Sequence, residues 1–121
     1  MSNEISKKIV DGMLDLSVGV IRFVEKQPIP LPVINQLTRS ITSIGANYSE
    51  AQDAASKRDF INKIYIAKKE AAESLYWLKL VEKLGDNETK NRELQDQTQR
   101  FVMILQKTIN TTKTPSLQAK G

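Results

Sequence analysis

Three prolines within five residues, Pro28, Pro30 and Pro32, divide this chain. Proline has no backbone N–H and restrains the residue before it, so no helix crosses that segment, although one can begin there. On either side the apolar residues recur every three or four positions over long stretches, and no convincing strand alternation occurs. Other punctuation is sparse: Gly85 breaks the chain again, and Pro115 marks its tail. Such a chain reads as all-helical, and short connections force successive helices to run antiparallel.

The first helix is expected over about 3–27. Ile5, Ile9, Met13, Leu16, Val20 and Phe23 form one stripe, flanked by Val10, Leu14, Ile21 and Val24. That face is wider than a two-helix seam needs, as in a helix buried on two sides or meeting another subunit. The second helix, about 32–55, carries Ile34, Leu37, Ile41, Ile44, Tyr48, Ala51 and Ala55 at the alternating steps of a bundle seam. Gly45 inside it costs about 1 kcal/mol against alanine. Close approach of a neighbouring backbone is the expected compensation, with a local kink as the alternative.

Ser56-Lys57-Arg58-Asp59 has the form of a capping box opening a third helix over 57–84, linked to the second by only a residue or two. Phe60, Ile64, Ala67, Ala71, Leu75 and Leu78 point one way, while Ile66, Trp77, Leu80 and Leu84 collect on another face and argue for self-association. Gly85 suits a C′ position, and Asp86 or Asn87 can cap a fourth helix over 88–112, whose seam runs through Leu94, Phe101, Leu105, Thr108 and Thr112. The tail, 114–121, has no periodicity and is expected to be flexible. The expected architecture is a single domain over 1–113, an up-down-up-down antiparallel four-helix bundle.

Composition narrows the chemistry. Cysteine and histidine are both absent, which removes thiolate chemistry, cysteine-based metal sites and the commonest general base near neutral pH. Ser49 and Ser74 therefore lack a histidine base, and neither sits in a recognisable nucleophile turn. No run is long enough to span a bilayer and the first residues do not form a signal peptide, so a cytoplasmic, unprocessed protein is expected. The net charge is +4. Residues 1–56 hold five basic and six acidic side chains, residues 57–121 thirteen and eight, so any basic surface should come from the second half.

The middle of the chain carries a family pattern. Arg39, Ser40, Thr42 to Asn47, Glu50 to Gln52, Ser56, Lys57, Asp59 to Ile61, Lys63, Ile66, Ala67, Lys69 to Ala71, Glu73 and Tyr76 to Leu78 occur in one fixed order. This resembles the bacterial four-helix-bundle family also known from proteins encoded within intervening sequences of 23S ribosomal RNA genes. Where many relatives carry I-P-A-N, this chain has Ile44-Gly45-Ala46-Asn47. The resemblance implies a homopentameric ring of bundles. It also implies, from similar accessory proteins of diversity-generating retroelements, a basic assembly that binds nucleic acid and a reverse transcriptase.

Several side chains invite a functional reading. Lys57, Arg58, Lys63, Lys68, Lys69 and Lys79 are the candidate nucleic-acid contacts, with Lys83 further along. They cannot all share one helix face, but Lys57, Lys68 and Lys79 recur every eleven residues and keep nearly one azimuth. A solvated face balanced by Glu70, Glu73 and Glu82 is the alternative. Asn47 and Glu50, one turn apart, read as structural polar groups fixing register rather than as a ligand contact. Glu70 and Glu73 read as interhelical or intersubunit ion-pair partners rather than a metal or acid–base pair. Tyr76 and Trp77 could stack on bases, but their apolar neighbours favour packing, within the bundle or between subunits. Ile66, Trp77, Leu80 and Leu84 are the candidate oligomer interface.

The resulting expectation is a non-enzymatic oligomeric accessory protein without cofactor or metal. It would bind RNA or DNA electrostatically through a basic surface, with or without a protein partner. The alternative is a structural or protein-interaction scaffold with no nucleic-acid role.

Overall fold

Each helix begins where the local sequence can satisfy its first amides. The computed structural model describes residues 3–114 and contains α1 (Glu4–Glu25), α2 (Leu31–Ala51), α3 (Lys57–Leu84) and α4 (Glu88–Lys113). Asn3, Ser56 and Asn87 cap α1, α3 and α4 by accepting from the backbone N–H of Ser6, Asp59 and Lys90 at 2.8, 3.0 and 3.1 Å. α2 follows Pro30 without a side-chain cap and has proline in its first turn, where a missing N–H removes one group that would need a partner.

The helices pack in chain order as an antiparallel four-helix bundle, α2 against α1 and α3, and α4 against α3, with α1 closing on α4. Met13, Val20 and Val24 of α1, Leu37, Ile41 and Ile44 of α2, Ile64 and Leu78 of α3, and Leu105 and Ile109 of α4 are almost wholly excluded from solvent. The expected α1 stripe starts late: Ile5 stays exposed and Ile9 half-buried, because the core begins at Met13. On α4 the buried positions are Asn91, Leu94, Thr98, Leu105 and Ile109, whereas Phe101, Thr108 and Thr112 sit at the margin.

One buried polar contact ties each consecutive helix pair. Ser17 Oγ donates to the Ile41 carbonyl at 3.1 Å, Ser74 Oγ to Ser40 Oγ at 2.8 Å, and Asn91 Nδ2 to the Leu78 carbonyl at 3.0 Å. Apolar packing tolerates small slips, but a buried donor that loses its acceptor costs about 1–3 kcal/mol, so these contacts set the register.

Two local expectations differ from the structure. The α2–α3 connection is five residues, 52–56, and Ala55 lies in it rather than in α2. The amides of Gln52, Asp53 and Ala54 bond to carbonyls three residues back, which tightens the helix end before the extended Ser56 cap. Asp59 accordingly reaches the Ala55 N–H, at 3.3 Å, instead of that of Ser56. Gly85 does not adopt the left-handed C′ conformation: its φ is −101°. Glycine suits the space there, since a Cβ would lie 2.9 Å from the Val81 carbonyl and would also crowd Gln27 Oε1, which accepts from the Asp86 N–H and ties the end of α1 to the α3–α4 turn.

Gly45 lies in an unbroken α2, where a Cβ would come 3.2 Å from that of Met13 on α1. Close approach of α1, rather than a kink, is thus the reason for glycine. Among the described residues no helix is long and apolar enough to cross a membrane. The expected tail lies, beyond Thr114, outside the described residues.

Candidate nucleic-acid interface

Because α3 packs on both α2 and α4, its outward half is fixed, and the successive 100° steps of a helix decide what it presents. Lys57, Arg58, Lys68, Lys69, Lys79 and Lys83 fall within a sector of about 120°, and Lys63 lies on the opposite side. Asp59, Glu70, Glu73 and Glu82 all fall outside that sector. Tyr65 and Tyr76 fall inside it, 37% and 62% exposed. The outward stripe is therefore basic, free of carboxylates and interleaved with two aromatic rings.

The cations on it are not equivalent. Lys57, Arg58, Lys69, Lys79 and Lys83 are exposed and have no ion-pair partner among the described residues. Lys68 is half-buried and donates to Gln106 of α4. Lys63 is bonded to Glu50 at 2.8 Å, an interaction that raises the lysine pKa. Of the six expected contacts, four stand free on the stripe, one lies at its edge and one is occupied elsewhere. Lys113 of α4 adds a cation, 3.0 Å from the Tyr65 hydroxyl and 5.0 Å from its ring centre, and lowers the phenol pKa.

The four expected structural polar groups separate into two pairs. Arg39 of α2 reaches both Glu70, at 3.0 Å, and Glu73, bridging α2 and α3 within one chain. The hydrogen bond from the Trp77 indole, then that from Arg39, holds the Glu73 carboxyl below its ordinary pKa. Asn47 and Glu50 do not satisfy buried groups in the seam. Asn47 donates to the Ser43 carbonyl of its own helix at 2.9 Å, and Glu50 is exposed beside Lys63. Both lie at the rim because Tyr48 and Ala51 occupy the inward positions of that turn. Among the described residues no group of three or more metal-ligating side chains comes together.

Ile66, Trp77, Leu80 and Leu84 occupy the strip next to the basic stripe, on the α2 side. Ile66 and Leu84 are 40% and 47% exposed. Leu80 is half-buried, and Trp77 packs its ring on the core. Tyr76 does not pack in the core of its own bundle: it is 62% exposed in the single chain, edge-on to Trp77 with ring centres 5.1 Å apart. Leu14 and Val18 of α1 are also exposed, and Leu14 lines a cavity of about 330 Å³ between α1 and α2. The Arg39 clamp and the Asn91 tie were not assigned from sequence, because a polar residue's partner on another helix leaves no periodic signal.

The family model of the 23S rRNA-intervening sequence protein matches residues 8–107. This chain belongs to that family. The family match is supported by a solved structure, described as a protein of unknown function from the S23 ribosomal protein family of Bacteroides thetaiotaomicron. It is 33% identical, aligns over 88% of this chain and 99% of its own, and superimposes with a TM-score of 0.77. No curated protein matches the chain. The solved structure shares the fold of this chain; neither comparison names a reaction.

Proposed function

We propose that this protein is a non-enzymatic cytoplasmic accessory protein that assembles with copies of itself, as a pentamer, and binds RNA or DNA through the outward stripe of α3. The observation that carries the reading is the separation of charges on that helix: the unpaired cations share a sector without carboxylates, while Glu70, Glu73 and Glu82 are paired with Arg39 of α2 or Arg92 of α4. A solvated face of mixed charge would interleave the two signs. The exposed Ile66 and Leu84 lie beside this stripe rather than on it, so burying them between subunits leaves the cations accessible and repeats them around the assembly. Binding of this kind is sequence-tolerant and falls steeply with salt. A protein partner such as a reverse transcriptase fits the same reading.

Anisotropy titrations of labelled RNA and duplex DNA across a salt series test it. The expected result is binding at low salt that weakens linearly in log–log form, and loss of at least about tenfold in R58E/K69E/K79E, whose replaced side chains are exposed and have no ion-pair partner among the described residues. Absent or salt-indifferent binding would instead leave the scaffold reading, which the exposed Leu14, Val18, Ile66 and Leu84 favour.

A further inference from the structure

The stripe on α3 has an internal period. Lys57-Arg58, Lys68-Lys69 and Lys79 are spaced by eleven residues, and Tyr65 and Tyr76 by the same interval. Eleven residues are close to three turns, so each repeat advances about 16 Å along the axis and drifts only about 20° around it. Each tyrosine consequently has a cation seven residues before it, Arg58 or Lys69, and a lysine three residues after it, Lys68 or Lys79. The exposed Ala72 lies between the rings and leaves the path from one to the other unobstructed.

The rings are not loose. Tyr76 packs edge-on to Trp77 at an interplanar angle of 76°, and Trp77 is anchored by its indole N–H bond to Glu73, which Arg39 also holds. Tyr65 is oriented by Lys113. An aromatic ring held in place yet 62% exposed gains nothing from the bundle's own core. Phosphates alone would require only the cations.

We propose, on the basis of the nucleic-acid reading above, that this stripe takes single-stranded nucleic acid in preference to duplex. Unpaired bases stack on Tyr76 and, more weakly, on Tyr65, while the flanking cations hold the backbone. A duplex keeps its bases stacked on one another and offers a side chain no ring face except at its ends. Base–aromatic stacking contributes to a single strand only, whereas the lysines serve both forms.

Full-length protein is titrated with labelled oligo(dT), oligo(U) and a duplex DNA of equal length at fixed low salt, as wild type, Y76A, Y76F and Y65A. Y76A is expected to weaken both single strands about tenfold and the duplex less than about twofold. Y76F should bind like wild type, because the ring and not the hydroxyl is used; Y65A should show a smaller loss of the same kind. Single strands, but not duplex, should also quench the only tryptophan, Trp77, which touches the Tyr76 ring. Thermal melts of the variants confirm that the bundle is intact. Salt-dependent binding that prefers duplex, or a Y76A effect equal on both forms or absent from both, overturns the stacking proposal and leaves the electrostatic reading standing. No binding to any probe overturns both.

Discussion

Ser74 and Ser40 share a hydrogen bond of 2.8 Å across the α2–α3 interface, and neither is accessible to solvent. Ser40 Oγ in turn donates a hydrogen bond to the Leu37 carbonyl at 3.2 Å, and the Glu70 carbonyl lies 2.9 Å from Ser74 Oγ as a second acceptor. The pair is small, satisfied and central, and it lets α2 and α3 approach closely. S40A and S74A are each expected to lower stability by about 1 kcal/mol, since the remaining hydroxyl keeps a backbone acceptor. S74L should cost more, about 1–3 kcal/mol, by overfilling the site. Urea unfolding of the three variants measures this, and a leucine variant more stable than the alanine one would contradict the packing.

Gly85 should be among the least tolerant positions on the surface. A Cβ there would crowd Gln27 Oε1 and meet the Val81 carbonyl at 2.9 Å. G85A is expected to destabilise by about 1–3 kcal/mol. In Q27A the side-chain obstacle is gone but the carbonyl remains, so the double variant should recover only part of the G85A loss. A double-mutant cycle by chemical denaturation gives the coupling, and full additivity would show that the Gln27 contact is not the obstacle.

The α3–α4 side carries the clearest pH signature. Glu82 is bonded to Arg92 at 2.7 and 2.8 Å and also accepts from Gln95, and the Arg92 bond lowers its pKa from 4.5 to about 2. A carboxyl depressed on folding contributes stability that is fully present above its unfolded value and is lost as pH falls towards the folded one. E82Q is therefore expected to be less stable than wild type above about pH 4.5. The difference should shrink as pH falls to about 2. Thermal melts from neutral to acid pH read this window; a pH-independent difference would assign the effect to packing.

Self-association should depend on the apolar strip beside the basic stripe. L84E places charge at a 47% exposed leucine, so a lone bundle would tolerate it. Wild-type protein is expected to sediment as an oligomer at micromolar concentration, and L84E to shift to monomer with an unchanged helical spectrum. A monomeric wild type would remove the assembly from the proposed function.

Much of the bundle was legible because long helices repeat their apolar residues many times, so one misplaced residue does not hide the period. Ser56, Asn87 and the prolines announced helix starts through purely local chemistry. Asn47 and Glu50 show where that legibility ends. Their one-turn spacing places them on neighbouring azimuths, but which azimuth meets another helix depends on how α1, α2 and α3 are rotated against each other. The structure puts both at the rim.

The sequence by itself determined the helices, their order, the family and the eleven-residue recurrence of lysine on the third helix, because each is a property of near neighbours along the chain. Only the tertiary structure decided that Glu70, Glu73, Glu82, Lys63 and Lys68 are occupied by partners on other helices while Arg58, Lys69, Tyr76 and Lys79 face outward. Whether a charged side chain is a contact or a free group depends on what lies across the helix interface, and that distance is set by packing rather than by position in the chain.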